Sequence, residues 1–329
     1  MGIILRPHQI PVVDYAIKNP YFICSVGVGG GKGVITPYLQ DKLGCKMLVI
    51  CPSYLISNWV DKINQYYNGD KRVTVVRHKN DVYDLWDTDI CLASYEWVKD
   101  YKPLFRWADF VVAEEGHYLK NLLANRTMHF HKMLYETGNP RMMILTGTPI
   151  KSKTHEFYSL MSLCYYNPKL KKPEFLEKYP DTETFADNFS YRIEYDARVF
   201  SQKYARMITT KIVKYEGIKN KEELRQYLKG VYIRVNRDEY MKTEKPVFNN
   251  VMVQYKDNPA LQEAFEHFVE TKQCNTAIKR ESAMAKIPFT IKYIEDLLES
   301  IENVVVFTDY VDVCEAIAAH FGVEAITGK

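Results

Sequence analysis

Over its first 165 residues the chain alternates short apolar runs with amphipathic stretches. The runs at residues 21–26, 46–51, 73–76, 89–93, 110–113 and 142–145 predict strands. Stretches of helical periodicity lie between most of them, for example residues 54–65 and 125–136. Strands almost bare of polar positions, alternating with helices, imply a parallel sheet covered on both faces. Near Asn167 the pattern changes, and Pro168, Pro173 and Pro180 punctuate a Lys- and Tyr-rich stretch. Residues 221–229, 260–271 and 291–300 then read as helices. Alternation returns at the end, with a buried strand expected at 303–308, a helix at 311–321 and a further strand at 323–326. The expected organisation is an α/β domain over 1–166, a helical region over 167–285, and the opening of a second α/β domain over 286–329. A β-α-β piece is too small to bury a core alone. It therefore packs onto the rest, or the sequence is cut short.

Composition narrows the class. With 47% apolar and 26% charged residues, the chain is neither disordered, collagen-like nor a coiled coil, and 329 residues allow about two domains. No apolar run approaches the ~20 residues of a membrane span, and the N-terminus lacks the pattern of a secretory signal. The expectation is an intracellular protein, cytoplasmic or, in a eukaryote, nuclear, with no membrane partner. Cysteines 24, 45, 51, 91, 164, 274 and 314 form no CxxC pair and read as reduced core thiols. His129 and His131, two apart, would not share a helix face, and no structural metal site is expected. Net charge is only +3, but residues 151–245 hold 20 Lys/Arg against 14 Asp/Glu. A basic middle block suits a polyanion.

The sharpest local feature is SVGVGGGKGV, residues 25–34, between an apolar strand and a probable helix start. Gly27, Gly29, Gly30 and Gly31 let backbone N–H groups approach an anion, the helix N-terminus adds its dipole, and Lys32 adds a point charge. These are the parts of a phosphate-binding loop. The spacing is imperfect: Val26 stands where the first glycine belongs, and Gly33 where Ser or Thr would supply a magnesium-binding hydroxyl. A flexible glycine-rich turn with a chance lysine is the alternative reading of the loop alone. A second apolar run leads into Glu114 and Glu115. Carboxylates at a strand end could hold magnesium and activate water, or equally form a solvated turn.

The two elements together resemble the nucleotide site of helicase superfamily two, and further segments resemble its Swi/Snf-type DNA-dependent ATPases and translocases. Residues 5–9 (LRPHQ) are similar to an adenine-recognition motif, 48–59 (LVICPSYLISNW) to motif Ia, and 93–96 (ASYE) to a TSYE segment. Residues 114–117 (EEGH) resemble a DEAH-type motif II, 145–150 (LTGTPI) motif III, and 231–240 the segment that follows the protrusion. Residues 304–309 (VVVFTD), with 326–328, resemble the opening of a second RecA-like domain. The likeness runs in order from residue 3 to 329.

The resemblance implies a RecA-like parallel-sheet domain, a helical protrusion and brace, and the start of a second RecA-like domain. It implies ATP and Mg²⁺ as cofactors and double-stranded DNA as partner. Gln9 would contact adenine, and Gly29, Gly30, Gly31, Lys32 and Gly33 would cradle the phosphates. Glu114, in place of an aspartate, would hold magnesium directly or through water, and Glu115 would orient or deprotonate the attacking water. His117, Thr146 and Thr148 would couple nucleotide state to DNA, although the two threonines could simply cap the next helix. Ser53, Asn58 and Ser94 would grip DNA phosphates, while Trp59 is expected to pack in the core. No position up to Lys329 matches the arginine fingers of motif VI. The expectation is a fragment of a longer, compact phage or bacterial ATPase, or a chain that takes those arginines from a protein partner. A catalytically weak or inactive nucleotide-sensing DNA-binding protein is the main alternative. An interaction scaffold and a small-molecule kinase are weaker rivals, because the first has no need of Lys32, Glu115 and Gln9 and the second no place for CPSYLISNW and LTGTPI.

Overall fold

Seven parallel strands make one sheet in the computed structural model, which describes residues 4–67, 71–138, 140–148, 153–166, 174–201, 206–241, 248–252, 258–271 and 276–327. In chain order the strands are β1 (Tyr21–Val26), β2 (Met47–Cys51), β3 (Val73–Val76), β4 (Ile90–Ser94), β5 (Phe110–Glu114), β6 (Arg141–Thr146) and, later, β9 (Tyr232–Val235). Their spatial order is β3-β4-β2-β5-β6-β1-β9, and every pairing is parallel. Successive residues of a strand point to opposite faces, and two separate apolar clusters follow from that. Tyr21, Ile23, Leu48 and Ile50 face one cluster, and Phe22, Cys24, Met47 and Val49 the other. Three helices cover the second face: α1 (Ile10–Lys18) with Val12 and Val13, α2 (Lys32–Leu43) with Ile35 and Leu39, and α3 (Ile56–Tyr67) with Ile56, Trp59 and Ile63. On the first face lie α4 (Lys102–Trp107), α5 (Asn125–Glu136) and α6 (Glu156–Tyr165). Trp59 is buried, as expected of a packing residue.

The basic middle block adds α7 (Glu174–Lys178), α8 (Thr182–Phe189) and α9 (Lys221–Leu228), as the helical expectation required. It also contains an antiparallel ribbon of two long strands that the sequence reading did not anticipate, β7 (Tyr191–Ser201) and β8 (Arg206–Glu216). Many of the tyrosines pack here. Tyr165 stacks on Phe175 with ring centroids 4.4 Å apart, and Phe185 lies 4.6 Å from Phe189. Tyr158 donates its hydroxyl proton to the Tyr179 carbonyl at 2.8 Å, so this buried phenol is satisfied.

Contacts divide the chain at 243/244. The second unit carries α10 (Pro259–Thr271), α11 (Thr276–Leu298) and α12 (Val311–Phe321), and the last two share a small cluster of Ile294, Val313 and Ile317. The strands expected at 303–308 and 323–326 are not formed; neither segment has regular secondary structure. A strand exists only through a hydrogen-bonded neighbour, and none pairs with them among the described residues. Phe307 is 92% exposed and Ile326 97%. Among the described residues no helix is long and apolar enough to cross a membrane.

Candidate nucleotide-binding site

The candidate residues collect at the C-terminal ends of the parallel strands, where open α/β sheets carry their sites. β1 ends at Val26 and the loop 27–31 leads directly into α2. Gly29 and Gly31 have φ of +79° and +80°, values that glycine adopts without strain. No side chain caps α2, which leaves first-turn N–H groups for an anion. Gln9 is 2% exposed and packs against this loop. Its amide donates to the Gly30 carbonyl at 3.2 Å, and its own carbonyl accepts the Arg6 N–H at 2.8 Å. Gln9 therefore braces the loop, whatever it does toward a base.

β5 ends in the acidic pair. Glu114 is 4% exposed, and burial raises its carboxyl to about 7. Lys32 and Lys62 oppose the rise and Glu115 adds to it. Its Oε2 is buried with no hydrogen-bond partner. An orphaned buried carboxylate oxygen is costly by itself and is the hard donor that Mg²⁺ takes, so the site fits the ion. Glu115 adopts φ 50°, ψ 50°, the left-handed region that is uncommon outside glycine. That turn aims its carboxylate into the site: Oε1 lies 3.6 Å from Lys32 Nζ and Oε2 lies 3.2 Å from His117 Nδ1. A Cβ on Gly116 would collide with the Ile144 side chain, so the acidic turn sits directly on β6. Tyr95 donates to the Glu114 carbonyl at 2.8 Å and stacks on Tyr118, fixing the turn from the other side.

At the end of β6, the Thr146 hydroxyl accepts the Thr148 N–H at 3.2 Å. The bond closes a local turn, and among the described residues the next helix, α6, begins only at Glu156. Gly147 brings this turn to the loop, because a Cβ there would lie 3.5 Å from Lys32 Nζ. Pro149 and Ile150 of the same motif lie outside the described residues. Ser53, Asn58 and Ser94 gather one strand further over. β2 and β4 are neighbours with Cys51 registered against Ser94. Ser53 and Asn58 are exposed, whereas Ser94 is buried.

Several positions that pack at the candidate site escaped sequence reasoning. His8 Nε2 lies 3.0 Å from the Gly30 carbonyl, and its ring lies 4.6 Å from that of Tyr240. Tyr240 donates to the Val28 carbonyl at 3.3 Å, closing over the loop from far along the chain. Lys62 reaches Gly33 from α3. A cavity of about 630 Å³ opens beside Gly27 and Thr148 and is bordered by Lys221, Arg225, Arg234 and Arg237, with no acidic residue among the described residues of its lining.

The SNF2-related domain family matches residues 33–303, a stretch that starts directly after Lys32. Chromodomain-helicase-DNA-binding protein 1-like of Mus musculus is 30% identical over 212 residues, covering 55% of this chain and 22% of that protein. Helicase-like transcription factor of Homo sapiens is 31% identical over 134 residues, covering 37% of this chain and 13% of that protein. The chain thus spans less than a quarter of the length of either relative. The fold is that of the Sulfolobus solfataricus SWI2/SNF2 ATPase core in complex with dsDNA, with a TM-score of 0.55 at 18% identity over 96% of this chain and 69% of that one. With the family match extending over most of its length, the chain belongs to the SNF2-related domain family.

Proposed function

We propose that this chain is the motor part of an ATPase that is stimulated by, and moves along, double-stranded DNA. The observation that carries the reading is the convergence of Lys32, Glu114 and Glu115 at the ends of β1 and β5, with the Lys32 ammonium 3.6 Å from Glu115 Oε1. In this reading the loop N–H groups and Lys32 hold the β- and γ-phosphates, and Gln9 lies on the adenine side. Glu114, with its unpartnered buried carboxylate oxygen, would hold magnesium, which when bound would supply charge neutralisation to the phosphates. Glu115 takes a proton from, or orients, the attacking water, with His117 Nδ1 standing 3.2 Å from its other carboxylate oxygen. Phosphoryl transfer asks for positioning and charge stabilisation rather than covalent chemistry, which this set supplies.

In this reading Thr146, Thr148 and His117 would couple nucleotide state to DNA, and Ser53 and Asn58, both exposed, with Ser94, buried at the end of β4, would grip the DNA backbone. We assign residues 1–166 to the first lobe, 167–285 to the protrusion and brace, and 286–329 to the opening of the second lobe. β9, which joins the first-lobe sheet, arises from within the protrusion segment.

The test is phosphate release from Mg-ATP with and without duplex DNA, using the chain, Lys32→Ala and Glu115→Gln. The expected result is release that DNA stimulates and Lys32→Ala abolishes. Glu115→Gln should keep ATP affinity and lose about a hundredfold or more in release. Release indifferent to Lys32→Ala would overturn the assignment. The second reading, a nucleotide-sensing DNA-binding protein, is favoured by Gly33 and Glu114 at the metal positions. It predicts ATP binding without release even when the second lobe is supplied.

A further inference from the structure

Gly33 stands at the second position of α2, where a phosphate loop of this kind carries the hydroxyl that binds magnesium. The glycine is buried, and what covers it is Lys62, from the next helix of the fold. A Cβ on Gly33 would lie 2.7 Å from Lys62 Cδ and 3.5 Å from both Lys62 Cε and Nζ. The aliphatic stem of Lys62 therefore occupies the space that a serine or threonine side chain would need, with its ammonium at the same place. Helix α3 sets this up. Trp59 and Ile63 bury its inner face, and Lys62 falls on the flank that faces α2. A lysine stem lying on buried backbone with its charged head at the rim is the usual way such a side chain packs. Among the described residues no carboxylate forms an ion pair with Lys62. Its charge nevertheless reaches Glu114.

We propose that Lys62 is a second phosphate-binding cation of this site, replacing by direct ammonium–phosphate contact part of what the missing hydroxyl and its magnesium do elsewhere. The absence of a side chain at Gly33 and the presence of Lys62 form one exchange. The glycine opens the gap, and the lysine fills it with charge. ATP binding by this chain then depends less on magnesium than in a loop with a hydroxyl, because two ammonium groups, Lys32 and Lys62, share the neutralisation of the phosphates. Lys62 is exposed, and a charge–phosphate contact near a protein surface is still worth several times its value in bulk water, enough for a tenfold effect on affinity.

The inference rests on the nucleotide reading, and the experiment separates the two. ATP affinity is measured by titration calorimetry on the full chain, once with excess magnesium and once in EDTA, for the unaltered protein, Lys62→Ala, Lys62→Arg and Lys32→Ala. Lys62→Ala should weaken binding about tenfold in EDTA and clearly less in magnesium. Lys62→Arg should retain most of the EDTA affinity. Adding Gly33→Thr to Lys62→Ala should recover affinity in magnesium but not in EDTA. If Lys32→Ala abolishes binding while Lys62→Ala binds as tightly as the parent in EDTA, the role of Lys62 falls and the nucleotide site stands. Absence of ATP binding by the parent under both conditions overturns both.

Discussion

Burial moves Glu114 and His131, among other side chains of the first unit, away from their ordinary titration range, each toward its neutral form. Glu114 is raised to about 7, against the opposing charges of Lys32 and Lys62, at a place where a cation is expected. His131, on α5, has no such compensation. Burial alone lowers it to about 4, its Nε2 has no hydrogen-bond partner, and its ring meets Tyr166 edge-on at 5.8 Å. In the unfolded chain the same imidazole takes up its proton near 6.5. Between those values the unfolded state binds a proton that the folded state refuses, so stability present above about pH 6.5 drains away as pH falls toward 4. A shift of that size corresponds to about 3 kcal/mol over the window. His131→Phe, which keeps a flat ring against Tyr166, should remove this part of the acid slope. Urea unfolding between neutral pH and pH 4 measures it, and an unchanged slope in the variant would show that the proton is taken up elsewhere.

At the scale of elements, α8 shows how one bond anchors a region. Asp181 accepts the Thr184 N–H at 2.7 Å and starts the helix. Phe185, Ala186 and Phe189 then insert into the aromatic cluster with Phe175 and Tyr179. Removing the cap with Asp181→Ala should cost about 1 kcal/mol, and Asp181→Asn much less. Thermal unfolding of the pair decides between a cap and a mere surface charge, since the latter would make the two variants alike. Elements like β1 and β5 were legible in the sequence because a strand buried on both faces must be apolar throughout. The ribbon β7–β8 was not, although Tyr191, Ile193 and Tyr195 alternate with Arg192, Glu194 and Asp196 in the strand period. Its side chains are largely solvent-exposed, so charge masked the alternation. The opposite error occurred at residues 303–308, where an apolar run states a need for burial without stating what will pair with it. The site divides similarly. Lys32, Glu114 and Glu115 announce themselves through their immediate neighbours. Lys62 and Tyr240 join it through packing between segments distant in the chain, which no local pattern encodes.

Over the whole molecule a net charge of +3 conceals a strong local asymmetry. The fold takes Lys221 and Arg225 from α9, Arg234 from β9 and Arg237 just beyond it, and sets them around one cavity beside the phosphate loop. Arg225 is partly neutralised by Glu222, one turn away. Arg234 is held at its station by the registration of β9 on β1, opposite Ser25. A cluster of this kind reads no bases; it attracts a phosphate backbone and orients it. If it helps to hold duplex DNA, binding must release condensed counterions, and the logarithm of affinity must fall linearly with the logarithm of salt. Each phosphate contact contributes about one unit to that slope, so Arg234→Ala should reduce it by about one and weaken all duplex sequences alike. Fluorescence anisotropy with random-sequence duplexes over a salt series tests this. A parent slope near zero would remove the polyelectrolyte reading of the chain. A normal parent slope that Arg234→Ala leaves intact would move the DNA path away from this cavity, toward the Ser53 and Ser94 end of the sheet.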